Sequence, residues 1–253
     1  MISYRVIPVL LLSEGGLVKT EKFKKPVYVG DPINAIRIFN DKEVDELVFL
    51  DIDASKENRG PDFTLLEQIA SECFMPLGYG GGITTLDQVK RIYSTGIEKV
   101  ILNSVVFDKP KLVEDAAAEA GSQSVVVSID YKKALFGKTK VYSHAKRKTS
   151  NMSVLEFAKE MEARGAGELI INSVDQDGLM NGYDVDMIAA ISEELTIPVV
   201  ACGGAGGIEH LIEAVKYGKA SAVAAGSMFV FHGPHKAVLI NYPSQEKLNT
   251  IFS

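Results

Sequence analysis

Asp51, Asp130 and Asp177 each stand at or just beyond the end of a short apolar run, in Val48-Phe-Leu-Asp51, Ser128-Ile-Asp130 and Ile171-Asn-Ser-Val-Asp-Gln-Asp177. A carboxylate at the end of a buried strand needs a partner or a task, because an unpaired charge in apolar surroundings is costly. Asp130 is the strongest candidate for general acid and base work, with a salt bridge to a loop lysine as the structural alternative. Asp177-Gly178 reads either as a carboxylate facing a site or as a plain turn. Two glycine clusters, Gly80-Gly81-Gly82 and Gly203-Gly204-Ala205-Gly206-Gly207, follow apolar runs and precede helical patterns. Such glycines let the backbone approach a phosphate, and the helix N-terminus behind them offers free N–H groups. A tight turn explains either cluster alone. Each is followed one strand later by small polar residues, Asn103-Ser104 and Gly226-Ser227. The pair predicts two phosphate sites on opposite sides of one mouth, at Gly81, Gly82, Asn103 and Ser104 and at Gly203, Gly204, Gly226 and Ser227.

The elements that must position these residues alternate regularly. Apolar runs at Arg5–Leu12, Glu46–Asp51, Met75–Tyr79, Lys99–Asn103, Ser124–Asp130, Glu168–Asn172, Ile197–Cys202 and Ser221–Gly226 read as eight strands. Between them lie helical patterns such as Leu65, Ile69 and Cys73, or Phe157 and Met161 with Ala158 and Glu162 on the adjoining face. Continuous apolar strands alternating with helices indicate a covered parallel sheet, and eight units favour a closed α/β (βα)8 TIM barrel over an open doubly wound sheet. Val48-Phe-Leu-Asp-Ile-Asp53 answers Ile171-Asn-Ser-Val-Asp-Gln-Asp177, and Tyr79-Gly-Gly-Gly-Ile83 answers Cys202-Gly-Gly-Ala-Gly206, about half the chain away. Two fused half-barrels give such a repeat. No linker or second domain is visible, so one domain spans residues 1–253. Thr84 or Thr85 is placed to cap the helix after the first glycine cluster.

Two long segments follow strands, Ser13–Gly30 and Tyr131–Asn151, and should overhang the barrel mouth as loops. The second carries Lys132, Lys133, Lys138, Lys140, Lys146, Arg147 and Lys148. It reads either as a lid over a phosphate-bearing substrate or as a solvated hairpin. The chain as a whole has a net charge of -6, which argues against nucleic acid as a partner. The apolar run Val6–Leu12 is far shorter than a membrane span and reads as a strand. Cys73 and Cys202 have no disulfide or metal-ligand spacing, which points to a reducing cytoplasm, no metal and no cofactor.

Taken together, Asp45-Glu-Leu-Val-Phe-Leu-Asp-Ile52, Gly80-Gly-Gly82, Gly121-Ser-Gln123, Ser128-Ile-Asp130, Gly165-Ala-Gly-Glu168, Asp177-Gly178 and Gly203-Gly-Ala-Gly206 resemble the cyclase subunit of imidazole glycerol phosphate synthase over almost the whole chain. The resemblance implies a (βα)8 barrel that receives ammonia from a glutaminase docked on the face opposite the active site. It implies a substrate with a phosphate at each end, bound by the two glycine clusters with Asn103, Ser104 and Ser227. Asp130 then matches one of two catalytic aspartates, Lys19 the lysine of a mobile first loop, and Asp177-Gly178 a turn lining the site. Arg5, Glu46, Lys99 and Glu168 match a ring of charges at the ammonia entrance, with Gln123 on the same face. Without the family, two acids and two bases at strand N-termini read equally as a structural salt-bridged ring.

The departure is Leu11, where the family carries its other catalytic aspartate. Pro8-Val-Leu-Leu-Leu-Leu12 holds no acid, and Ser13 or Glu14 is the nearest substitute. Leucines in strand 1, Gly15-Gly-Leu-Val-Lys-Thr20, Tyr28-Val-Gly-Asp-Pro-Ile33, Glu72-Cys-Phe-Met-Pro76 and Phe229-Val-Phe-His-Gly-Pro-His235 resemble a divergent branch of the family. That branch is associated with bacterial surface-glycan biosynthesis, serving a glutaminase and a separate sugar amidotransferase that forms acetamidino groups, and the resemblance implies a phosphorylated or nucleotide-linked small-molecule substrate for the chain itself. The competing expectations are an authentic cyclase of histidine biosynthesis, a noncatalytic scaffold that activates a glutaminase, and a phosphate-binding isomerase barrel. Gln123 and the four charges disfavour the isomerase.

Overall fold

The computed structural model describes residues 4–134, 138–233 and 235–252. Eight parallel strands form the barrel: β1 (Arg5–Ser13), β2 (Leu47–Asp51), β3 (Leu77–Gly80), β4 (Lys99–Leu102), β5 (Val125–Lys133), β6 (Glu168–Ser173), β7 (Val199–Cys202) and β8 (Ala222–Ala225). Each pairs with the next, and β8 returns to β1 from Arg5↔Ala222 to Pro8↔Ala225, which closes the sheet. All eight lie where the apolar runs place them. The glycine clusters end β3 and β7, four strands apart, as the half-barrel repeat requires.

Helices α1 (Pro32–Asp41), α2 (Phe63–Glu72), α3 (Leu86–Ser94), α4 (Lys111–Ala120), α5 (Val154–Ala163), α6 (Val185–Ser192) and α7 (Ile208–Lys216) cover the outside. Side-chain caps start most of them. Thr85, not Thr84, caps α3 in a capping box with Gln88, and Ser153 does the same for α5 with Glu156. Phe157, Ala158 and Met161 bury the inner face of α5 as their spacing predicts. In α2 the buried residues are Leu66 and Ile69, and Cys73 lies at the C-cap rather than on the helix. The apolar spacing there runs one residue past the point where the chain turns extended.

Side chains alternate across each strand, and this alternation divides the core in two. Leu10, Leu47, Phe49, Val100, Val127, Leu169 and Ile171 face outward into the shell between sheet and helices. Ile7, Val9, Val48, Ile101, Val126, Ile170, Val200, Ala222 and Ala224 face inward and pack the barrel axis, with Leu11, Leu50 and Cys202 partly buried above them. The interior is tight at Gly78, where an added Cβ would meet Val48 and Ile101 at 3.3 Å.

Ser13–Gly30, expected as a loop, is an antiparallel hairpin with strands Gly16–Glu21 and Lys24–Gly30. Two tight turns build it. Glu14 and Gly15 both have positive φ between paired Ser13 and Gly16, and Lys22 and Phe23 both have positive φ between paired Glu21 and Lys24. Positive φ at both central residues is the two-residue turn that matches strand twist. Glu-Gly and Lys-Phe lack the Asn-Gly or Asp-Gly signature, so the turns are not legible from residue type. Tyr131–Asn151 likewise extends β5 into a hairpin, pairing Tyr131↔Val141, Lys132↔Lys140 and Lys133↔Thr139, then Ser143↔Lys148. Residues 135–137 of that basic segment, and Pro234 of the Phe229–His235 motif, lie outside the described residues. No described helix is long and apolar enough to cross a membrane.

Candidate functional site

The C-terminal ends of the strands surround a cavity of about 190 Å³. Its lining includes Lys19, Gly81, Gly82, Asn103, Ser104, Asp130, Asp177, Gly178, Gly203, Gly204, Gly226 and Ser227, so one mouth gathers these sequence candidates. Gly82 and Gly204 have φ of +68° and +119°, and a Cβ at either would strike backbone, at 2.4 Å from the Arg59 carbonyl oxygen and 2.0 Å from that of Gly182. Both glycines are therefore obligatory for the turn. Ser104 and Ser227 each open a short helical turn, Ser104–Phe107 and α8 (Ser227–Val230). The two glycine-and-serine corners sit on β3–β4 and β7–β8, on opposite sides of the mouth.

Asp130 sits between two amides. Its Oδ2 accepts from Asn103 Nδ2 at 2.9 Å and its Oδ1 from Asn172 Nδ2 at 2.8 Å. Asn103 Nδ2 also donates to the Ser128 carbonyl oxygen at 2.8 Å. The amide of Asn103, expected at an anion site, is therefore committed to holding the carboxylate. No motif marks Asn172, although the inward alternation Glu168, Ile170, Asn172 puts it beside Asp130. Burial raises the Asp130 carboxyl to about 7, against the lowering effect of both amides and with a further push upward from Asp177. Asn172 Oδ1, buried beside it, has no partner among the described residues. Turning that amide would let its oxygen accept a hydrogen bond from the hydroxyl of a neutral Asp130.

Between the ordinary aspartate value and about 7, the folded protein keeps a proton at Asp130 that the unfolded chain has released. Stability therefore falls as pH rises through that window. Asp130→Asn removes the dependence and keeps the shape, with Asn172 free to turn and accept from the new amide. The variant should gain thermal stability relative to the unmodified chain from about pH 5 to about pH 8, by on the order of a few kcal/mol, and level off above that. A difference that does not change across this range would show that Asp130 is ionised throughout.

Lys19 is not on a free loop. It lies in the first hairpin strand, is 5% exposed, and donates from Nζ to the Val9 carbonyl oxygen at 2.5 Å. Burial lowers its ammonium to about 8, partly offset by Asp177. Asp177 is raised to about 6 by burial, while Lys19, the Phe23 backbone and Thr20 Oγ1 at 3.4 Å act in the opposite sense. Gly226 makes room for this lysine, since a Cβ there would lie 2.2 Å from Nζ. Gly178 plays the same part for the hairpin, as a Cβ would fall 2.1 Å from the Thr20 carbonyl oxygen. Asp51 is a structural carboxylate. Arg59 grips it with two bonds of 2.8 and 3.2 Å, and it accepts from the Asp53 and Ala54 amides.

Leu11 faces the mouth from β1, across the barrel from Asp130 on β5. Neither suggested substitute reaches it. Glu14 is exposed in the tight turn after β1, and Ser13 Oγ donates to Asp53 Oδ2 at 2.5 Å. The acids that do line the cavity are Asp51, Asp130 and Asp177. Among the described residues no group of three or more His, Cys, Asp or Glu could hold a metal ion.

At the opposite end of the barrel the four charges form a closed ring. Arg5 reaches Glu46 at 2.5 Å and Glu168 at 3.0 Å, and Lys99 reaches Glu46 at 2.9 Å and Glu168 at 3.0 Å. Each base thus touches both acids. Gln123 is not a member: it is exposed in the turn before β5 and donates to the Ala120 carbonyl oxygen at 3.3 Å.

A family model described as histidine biosynthesis protein matches residues 5–235. The chain belongs to this family. Among its relatives, a Pseudomonas aeruginosa protein named provisionally as imidazole glycerol phosphate synthase subunit hisF2 is 51% identical over 98% of this chain and 99% of its own length. A Vibrio vulnificus protein, named in the same way as subunit hisF3, is 50% identical over 96% of this chain and 94% of its own. A Leptospira interrogans relative, named as subunit HisF, is 47% identical over the full length of both chains. This histidine-biosynthesis-family barrel is thus a divergent HisF-like member, and the ring, the apolar axis and the two glycine corners are its framework.

Proposed function

We propose that this chain is the synthase-type subunit of a glutamine-dependent complex, taking ammonia from a partner glutaminase at the Arg5, Glu46, Lys99 and Glu168 ring and delivering it to the anion-binding mouth. The two ends of the barrel support a direction of travel. A ring of fixed charges discriminates ammonium from neutral ammonia, and only the neutral molecule enters the apolar axis of Ile7, Val48, Val126 and Ile170 without a large desolvation cost. At the far end Asp130 and the Lys19–Asp177 pair, all with values displaced toward neutrality, are suited to taking and giving the protons that ammonia chemistry releases.

In this reading the chain supports amidation of a sugar for a surface glycan, with a separate sugar amidotransferase, and not ring closure. Leu11 carries it: the side chain facing Asp130 across the mouth is apolar. One observation favours the alternative of an authentic cyclase in histidine biosynthesis, namely that Asp177 supplies a second titratable carboxylate in the same cavity.

The glutaminase partnership is tested by mixing. The chain alone should release no ammonia from glutamine, because among the described residues Cys73 Sγ bonds only to Met75, no hydrogen bond joins a cysteine to a histidine, and burial pushes the Cys202 thiol up to about 12. With a glutaminase of the HisH type it should form a heterodimer and raise glutamine turnover. Glutaminase activity in the isolated chain, or a complex that survives charge reversal of exposed residues around the ring, would overturn this assignment.

A further inference from the structure

The two halves of the barrel share more than their glycines. Gln88 is the third residue of α3 and His210 the third residue of α7, the helices that follow the two glycine corners. In both, the side chain turns back to accept from a backbone N–H that precedes the helix. Gln88 Oε1 accepts from the Thr84 N–H at 2.7 Å and the Thr85 N–H at 3.2 Å, and His210 Nδ1 accepts from the Gly206 N–H at 3.0 Å. Such bonds are the returning half of a capping box, in which the third helical residue satisfies a donor just outside the helix. At α3 the Thr85 side chain adds the other half, whereas Gly207, which opens α7, makes no side-chain cap. The imidazole is therefore the side chain that fixes the second corner to its helix.

Both side chains also brace the segment on which their corner closes. A Cβ at Gly60, in the loop after β2, would lie 2.7 Å from Gln88 Nε2, and a Cβ at Gly182, in the segment after β6, would lie 3.4 Å from His210 Cδ2. The corner glycines close against these same residues. A Cβ at Gly82 would lie 3.0 Å from the Gly60 carbonyl carbon, and Gly204, already in contact with the Gly182 carbonyl, accepts from the Gly182 N–H at 2.8 Å. Each polar side chain thus touches both the helix start behind its corner and the loop beside it. Neither Gln88 nor His210 lines the cavity, so each can act on a bound anion only through the backbone it holds.

We propose that Gln88 and His210 are equivalent positioning residues, one for each anion corner, fixing the backbone at which an anion binds. The inference rests on the reading of the two corners as anion sites and names what prepares them. Backbone that is ordered before the anion arrives spends none of the binding free energy on ordering, so losing the brace should weaken the anion at that corner and leave the other corner alone. An imidazole does at the second corner what a carboxamide does at the first. His210→Gln should therefore keep the second corner intact, while His210→Leu fills the space without an acceptor.

The test is a crossed pair of variants, Gln88→Leu and His210→Leu, with His210→Gln as the conservative replacement. Crystals of each are soaked in sulfate at the concentration that half-fills the corners of the unmodified chain. Loss of one hydrogen bond is worth about tenfold in affinity, so occupancy of the second corner in His210→Leu should fall from about one half to about one tenth, with the first corner unchanged. Gln88→Leu should show the reverse, and His210→Gln should match the unmodified chain. Hydrogen exchange of the Gly206 N–H, followed by NMR without any anion, should quicken by about tenfold or more in His210→Leu and recover in His210→Gln. Undiminished sulfate at the second corner of His210→Leu, loss at both corners in either leucine variant, His210→Gln as weak as His210→Leu, or unchanged exchange at Gly206 would overturn the proposal. Sulfate absent from both corners of the unmodified chain would overturn the anion reading itself, and the Gly206 exchange would then show separately whether His210 holds that backbone.

Discussion

Lys99→Met should lower the stability of the barrel by about 3–5 kcal/mol, the usual effect of removing one partner from a buried ion pair. Lys99 Nζ bonds to both Glu46 and Glu168, whose side chains are only 4% and 7% exposed. Without it two carboxylates share Arg5 alone inside the end of an apolar tube. Chemical denaturation reads the loss directly as a shift of the midpoint at unchanged slope. Replacing all four charges together with apolar residues of similar volume should recover most of the stability, since a buried ion network is weakly stabilising relative to a packed core. The same fourfold variant should no longer take up ammonia from a glutaminase, although its mouth is untouched. A Lys99→Met protein as stable as the unmodified chain would show that the ring is loosely solvated and not a closed structure.

Leu11→Asp should confer cyclisation of the histidine-pathway substrate with ammonium salts, by about 10²- to 10⁴-fold over the unmodified chain, the usual contribution of one positioned acid or base. The geometry is favourable because Leu11 faces the mouth opposite Asp130, and the glycine corners and Lys19 remain in place. The gain has a structural cost. A further carboxylate facing Asp130 raises the pKa of both by mutual repulsion, so the variant should be less stable than the parent at neutral pH and closer to it in mild acid. An unchanged rate in a folded Leu11→Asp protein that still binds phosphate would remove Leu11 as the determinant.

The fold was legible because its strands are continuous apolar runs of Val, Ile and Leu between amphipathic helices, a pattern set by burial on both faces. The glycine corners were legible for a comparable reason, since Gly82 and Gly204 adopt backbone that other residues rarely do. What was hidden depends on contacts across strands. That Asn103 serves Asp130, that Arg59 neutralises Asp51, and that Gly226 accommodates Lys19 are facts of tertiary neighbours without a sequence spacing. The first hairpin was hidden because Glu14-Gly15 and Lys22-Phe23 make turns that residue types seldom announce. Gln123 lies in the turn before β5, at the same end of the barrel as the ring, with its side chain bonded inside that turn.

The measurement that bears most directly on the account is steady-state cyclisation by the unmodified chain, supplied with ammonium salts and the histidine-pathway substrate, beside a cyclase that carries aspartate at both catalytic positions. With leucine at position 11 the rate should fall at least about 10²-fold below that reference. A rate within about tenfold of it, less than one acid or base usually contributes, would contradict the sugar-amidation reading and establish the chain as an authentic cyclase.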